Sequence, residues 1–325
     1  PDVPTDRKAA WLTPEESQQI VSDGELLFYE GTVRNIYYHN PDLLHAKTAE
    51  AGHTGIYDDV KDVAFAPAAP LEGPYRNPVR WEGIGTLSLP RNLLPENGTL
   101  RLWVPLPINT DSQRNVTILS IEPDAHVVSP PDTNGDIGIV YLEIPLEGAR
   151  SEYLNVTTRF RFTTYEQRFD IDPEKVGVYN TSDPLYIRYT CSGDNIVVTP
   201  DMKAKALEIV GNETSPFLQA EKIYGYIIDT YPYSVVPHLM LNTAEVPESS
   251  YVLSTGFGDC GSQSMYFAAL CRSLGIPARA TGGYQLIPRI EGSHFWAEFF
   301  LPEYGWVPVD VTVSGTAGWS FDASE

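Results

Sequence analysis

A nearly unbroken apolar run, Met265, Phe267, Ala268, Leu270, Cys271 and Leu274, stops at Gly275 with Pro277 just beyond, and reads as a helix buried on all sides. Gly258-Asp259-Cys260 stands immediately before it, so the thiol of Cys260 falls in the first helical turn. The unpaired N–H groups and the positive dipole end found there favour thiolate over thiol. The same groups can receive the oxyanion that forms when a carbonyl is attacked. A structural cysteine belongs in the middle of such a helix, where Cys271 lies. Cys191, in Tyr189-Thr190-Cys191-Ser192-Gly193-Asp194, reads as a strand end before a turn, with no partner in view. The chain has 3 cysteines, which cannot all pair, and no C-x-x-C or Cys/His cluster marks a zinc or dithiol site. No metal or cofactor is expected.

A thiolate nucleophile needs a base, and the one histidine downstream of Cys260 is His294, in the aromatic, strand-like stretch Ser293-His294-Phe295-Trp296-Ala297-Glu298-Phe299. A turn through Pro302-Glu303-Tyr304-Gly305 leads to a second strand, Trp306-Val307-Pro308-Val309-Asp310. Asp310 can accept the ring N–H of His294 and stabilise the imidazolium. The register resists this. If Leu301 faces Trp306, His294 faces Val313 and Asp310 points to the opposite side of the sheet, because strand side chains alternate. Their meeting requires a bulge, for which Pro308 is the natural place, or a turn of different length. Asp132-Thr133-Asn134-Gly135-Asp136 partly mimics a calcium loop, but Ile137 stands where that loop needs Gly, and a tight hairpin at Asn134-Gly135 explains it better.

Three regions differ in pattern. Residues 1–78 read as a helical and irregular lead-in, with a helix start at Thr13-Pro14-Glu15-Glu16, surface histidines at His39, His45 and His53, and a linker from Pro67 to Pro74. Residues 79–175 alternate as strands do at Leu100–Val104, Val116–Leu119, Ile137–Leu142 and Tyr153–Tyr165, which predicts an all-β sandwich. Residues 176–325 open with amphipathic helices after Thr199-Pro200 and Ser215-Pro216, followed by a loop through Pro237 and Pro247. His238 falls in that loop and is given no chemical role.

The net charge of -21 repels phosphate backbones and anionic lipid, which excludes non-specific nucleic-acid binding. No apolar run is long enough to span a membrane, so membrane insertion is not expected. Asn-x-Ser/Thr triplets at Asn97, Asn115, Asn155, Asn180 and Asn212, and a first residue that is Pro1 rather than Met, suggest a trimmed or exported form, extracellular or at the cell surface.

Gly258-Asp259-Cys260, Leu270-Cys271-Arg272-Ser273-Leu274-Gly275-Ile276-Pro277-Ala278-Arg279, Gly283-Tyr284, His294-Phe295-Trp296-Ala297-Glu298 and Tyr304 to Asp310 together resemble the core of the transglutaminase-like superfamily. The resemblance spans residues 180–313. It implies an α+β, papain-like core with Cys260 as nucleophile, His294 as general base and then acid, and Asp310 as the orienting residue. The stretch Leu102-Trp103-Val104-Pro105-Leu106-Pro107 is similar to the sandwich that precedes such cores in microbial members. Animal cross-linking members carry Trp after the nucleophile where Gly261 stands here, and the zinc-binding cysteine pairs of glycanase-type relatives are absent.

The reading that follows is cysteine-dependent acyl transfer on a protein or peptide substrate, with hydrolysis as the default because water is always present. Transamidation of protein glutamine and a non-catalytic surface binding module on the same scaffold are the alternatives. Gln263, Tyr251 and the Cys260 amide are candidates for the second oxyanion donor, and Tyr284 and Trp296 are candidates for lining the acyl pocket. The oligomeric state is not readable from the sequence.

Overall fold

The computed structural model describes Trp11, residues 19–40, Leu43, and residues 73–148, 151–287 and 290–313. The helix start at Thr13, His45, His53 and most of the Pro67–Pro74 linker lie outside the described residues. Two compact units form, one from residues 73–170 and one from residues 171–313 together with the described part of the lead-in.

The lead-in is not only helical and irregular. Strands β1 (Gln19–Ser22) and β2 (Glu25–Phe28) make an antiparallel hairpin across Asp23 and Gly24. Both turn residues have positive φ, 52° and 82°, as a two-residue hairpin turn with the right twist requires. Helix α1 (Thr32–Tyr38) follows, and buried Asn35 exchanges two hydrogen bonds with the main chain of Val235, donating to its carbonyl at 3.0 Å and accepting from its N–H at 2.7 Å. His39 is half-buried, with its ring 5.2 Å from that of Phe257, rather than lying free on the surface.

The β unit contains β3 (Tyr75–Pro90), β4 (Thr99–Leu106), β5 (Gln113–Glu122), β6 (Gly138–Pro145) and β7 (Tyr153–Gln167). They form a sheet ordered β3-β7-β5 and a second of β4 with β6. Alternate residues Val140, Leu142 and Ile144 of β6 point inward and meet Leu154 and Val156 of β7, so the two sheets close on one core. Asn115 has φ 58°, where β5 slips register against β7. The Asp132 stretch is a wider loop than the expected tight hairpin: Asp132 bridges to Ile139, and its carboxylate accepts from the N–H groups of Asn134 and Gly135.

The second unit is built from α2 (Pro184–Thr190), α3 (Pro200–Val210), α4 (Pro216–Thr230), α5 (His238–Thr243), α6 (Glu248–Thr255), α7 (Cys260–Ser273), β8 (Ala278–Ile287), β9 (Ile290–Leu301) and β10 (Gly305–Val309). Asp183-Pro184 and Thr199-Pro200 start helices by the same rule: the side chain caps, and Pro occupies a position that needs no N–H. Cys191 therefore follows a helix and not a strand, with its thiol 3.1 Å from the Arg188 carbonyl. The stretch read as a loop through Pro237 and Pro247 holds two short helices, α5 and α6, each begun directly after its proline. None of the helices among the described residues is long and apolar enough to cross a membrane.

Helix α7 is the axis of this unit. Tyr266 to Cys271 are fully buried, and the helix packs on α3, α4, α6, β8 and β9. It stops in a Schellman motif, with Gly275 at φ 79° and the Ile276 N–H donating to the Cys271 carbonyl. The sheet beside it runs in the order β10-β9-β8, all antiparallel. Shortening Leu270 to Ala should lower stability by about 2–5 kcal/mol, read from urea unfolding, because its fully buried side chain leaves a cavity on the axis of the unit.

Candidate active site

Cys260 is the first residue of α7, and the residues around it are arranged to hold that helix end. The Asp259 carboxylate accepts from the Ser262 N–H at 2.9 Å, and the Ser262 hydroxyl accepts in return from the Asp259 N–H at 2.9 Å. This reciprocal cap satisfies two donors that a helix otherwise leaves open. Gly258 precedes it because a Cβ there would come within 2.5 Å of the Ser262 hydroxyl and 2.9 Å of Val252. The Cys260 thiol is only partly covered, whereas Cys271 is fully buried and burial pushes its thiol well up.

The strand register brings His294 to the same place. Gly305 pairs with Leu301, so the turn between β9 and β10 is Pro302-Glu303-Tyr304, one residue shorter than the regular pairing of Leu301 with Trp306 would make it. The ladder runs through Pro308 without a bulge. Continued by one position, it sets Asp310 opposite Trp296, on the face that Trp296 shares with His294. The register obstacle is thus removed by turn length. His294 Nε2 lies 2.6 Å from Asp310 Oδ2. The other Asp310 oxygen accepts from the N–H groups of Thr312 and Val313 and from the Thr312 hydroxyl, at 3.2, 3.0 and 3.2 Å.

The imidazole is 13% exposed and feels the charge of Cys260 as well as that of Asp310. With Nε2 held by Asp310, Nδ1 is the nitrogen left to face the sulfur. Burial alone would pull the His294 pKa down, but the hydrogen bonds and charges of Asp310 and Cys260 outweigh it and raise the value to about 10. Trp296 lies against this ring, with centroids 6.5 Å apart. Tyr284 is 74% exposed.

Two neighbours escaped the sequence reading. Tyr233 has its ionisation pushed far up, first by burial and then by the negative charges of Cys260 and Asp259. His238 bridges two carboxylates, with Nε2 2.7 Å from Asp259 and Nδ1 3.3 Å from Glu248. The Asp259 hydrogen bond is the main reason its pKa rises to about 9, against the opposing effect of burial. Neither residue could be read from periodicity, because a parallel bridge between Tyr233 and Gly258 and a short helix after Pro237 bring them in. Gln263 is directed to structure: its amide donates to the carbonyls of Tyr231, Pro232 and Gly258. Among the described residues, no group of three or more His, Cys, Asp or Glu is arranged to hold a metal ion.

Residues 203–311 match the model of the transglutaminase-like superfamily. The crystal structure of a candidate cysteine protease from Cytophaga hutchinsonii superposes with a TM-score of 0.55 over 73% of this chain and 78% of that one, at 17% identity. This segment is a transglutaminase-like core. An uncharacterized protein of Haemophilus influenzae is 26% identical over 246 residues, 66% of this chain and 63% of its own length. A protein-glutamine gamma-glutamyltransferase of Pseudomonas aeruginosa is 33% identical over 72 residues, 19% of this chain and 11% of that protein. The chain thus spans less than two thirds of the length of either relative.

The two histidines give this core a stability that depends on pH. Each has a folded-state pKa above its ordinary 6.5, so the folded state holds the proton more tightly than the unfolded one. Their contribution is complete below pH 6.5 and is lost as pH rises through about 9 for His238 and about 10 for His294. The urea midpoint should therefore fall between pH 6.5 and 10, and His238→Gln should flatten the first part of that fall. The His238 side chain is 45% exposed, so solvent screening keeps its share small.

Proposed function

We propose that this protein is a cysteine-dependent acyl-transfer enzyme acting on amide or peptide bonds of a protein or peptide substrate. The observation that supports it is the 2.6 Å hydrogen bond of His294 to Asp310, with Cys260 near enough to shift the same imidazole, the three assembled from a helix start, a strand and the residue after the next strand. With the proton of the Cys260–His294 pair held on the imidazole, the sulfur attacks the carbonyl carbon, whose π electrons move to oxygen. When the oxyanion collapses, the C–N bond breaks and the amine leaves with the proton from His294, which leaves a thioester on Cys260. Water then attacks the thioester, gives its proton to His294, and frees the acid and the thiol.

Asp310 serves this cycle without taking a proton. One oxygen faces His294 while the other is occupied by a backbone turn, so it fixes the ring and stabilises the imidazolium. A second acceptor deserves testing, because the P. aeruginosa relative is named as a protein-glutamine gamma-glutamyltransferase. An amine in place of water would resolve the same thioester into a new amide.

Ammonia release and amine incorporation from a glutamine-containing protein, run beside cleavage of a peptide library, separate these outcomes, with Cys260→Ala as the blank. Hydrolysis or cleavage above that blank is expected, and His294→Ala should lower it by about 10²–10⁴. Iodoacetamide at pH 6 should label Cys260 faster than Cys191 or Cys271. Equal slow labelling of all three thiols, with no turnover above the blank, would refute the proposal and leave a binding module on the same scaffold.

A further inference from the structure

The apolar face beneath α7 continues past the start of the helix. Opposite residues of paired antiparallel strands share a face, so Ala278 with Phe299, Ala280 with Ala297, Gly282 with Phe295 and Tyr284 with Ser293 make up one side of the β8–β9 ribbon. Its lower part is covered: Phe299 sets its ring edge-on to Phe267 of α7 with centroids 6.1 Å apart, and Ala278 and Ala297 are fully buried. Farther along, the same side opens to solvent, with Phe295 38% exposed and Tyr284 more so. None of these paired residues carries a charge, in a chain whose net charge is -21.

Phe295 stands where this strip passes the nucleophile. It follows His294 directly in the chain, and its ring lies against Gly261, the residue after Cys260: a Cβ on Gly261 would come within 3.7 Å of the ring, an ordinary contact distance. On the neighbouring strand, a Cβ on Gly282 would come within 2.8 Å, so the ring already fills the space that a side chain there would need. Two glycines thus seat an aromatic ring beside the first turn of α7. Resting on the acyl-transfer reading above, we propose that Phe295 forms a subsite for a large apolar side chain of the peptide substrate, next to the bond that Cys260 attacks.

The chemistry of the strip selects that class of side chain. An apolar group laid on Phe295 removes surface of both partners from water, which is favourable in proportion to the area covered. A charged group there would lose hydration and find no charge on the strip to replace it. The ring has few rotatable bonds and is seated on Gly282, so little freedom is lost when it is covered. It holds no proton to give or take. Its effect therefore falls on which substrate is chosen and leaves the bond-making steps to Cys260 and His294.

Iodoacetamide and N-benzyl iodoacetamide bring the same electrophile to Cys260 without and with an apolar group, and neither requires acyl transfer. Their rates at Cys260, read by mass spectrometry and divided by those of free cysteine, should favour the benzyl reagent by about 10-fold or more. Phe295→Ala should lose that preference and keep the iodoacetamide rate, which also shows that the site is folded, and Phe295→Leu should keep most of the preference. In a peptide library, turnover above the Cys260→Ala blank should be highest with Phe or Leu beside the scissile bond, and Phe295→Ala should level it. No benzyl preference in wild type, or one that Phe295→Ala leaves intact, would overturn the inference. So would an equal fall with both reagents, which would give the ring a purely structural role. A preference that depends on Phe295, with no peptide turned over above the blank, would defeat the acyl-transfer reading and leave the apolar subsite beside Cys260 standing.

Discussion

Strand side chains alternate between faces, so the imidazole of His294 and the carboxylate of Asp310 can meet only if the turn between β9 and β10 has the right parity. Pro302-Glu303-Tyr304 supplies it, with Glu303 at φ 73° and Gly305 at φ 82° closing the turn. One more residue in that turn would carry Asp310 to the far side of the sheet and leave the histidine without the partner that raises its pKa. The pairing of His294 with Asp310 rests on this register. A turn on the edge of the sheet thus controls the protonation of a ring several residues away.

The second fixed point is the start of α7. A helix whose Tyr266–Cys271 stretch is fully buried cannot tilt or shift without disturbing its surroundings, and this fixes where its first residue lies. The cost of such an end is a set of unpaired N–H groups, which Asp259 and Ser262 reduce by capping each other. Capping places a carboxylate next to the nucleophile, where its charge opposes a thiolate. His238 stands on the other oxygen of Asp259 and offsets that charge across neutral pH. The acid that the helix start needs is thereby made compatible with the sulfur beside it.

Most of the framework was legible in the sequence because it depends on local chemistry. Thr199-Pro200 and Ser215-Pro216 announce α3 and α4, the apolar run after Cys260 announces α7, and the aromatic stretch around His294 announces β9. The spread of Cys260, His294 and Asp310 over these elements could be read for the same reason. What could not be read depends on contacts between distant residues. The hairpin at Asp23-Gly24 has an exposed β2, with no apolar alternation to reveal it. Helices α5 and α6 are too short for a periodic signal, and their opening prolines resemble loop markers. Tyr233 and His238 reach the site only through pairing with Gly258 and Asp259, which no local pattern encodes.

The polar residues near the sulfur separate into two groups by what their hydrogen-bonding capacity already does. Gln263, Ser262, Asn35 and the second oxygen of Asp310 are taken up by main-chain groups, and a side chain in that state cannot release its partners to follow a reaction without leaving buried backbone unsatisfied. His294 differs, because Asp310 holds only one of its ring nitrogens and the other is left to face the sulfur of Cys260, the one atom there whose bonding changes during acyl transfer. The immobile group explains why the site is rigid, and the ring nitrogen left over explains how a rigid site can still move a proton.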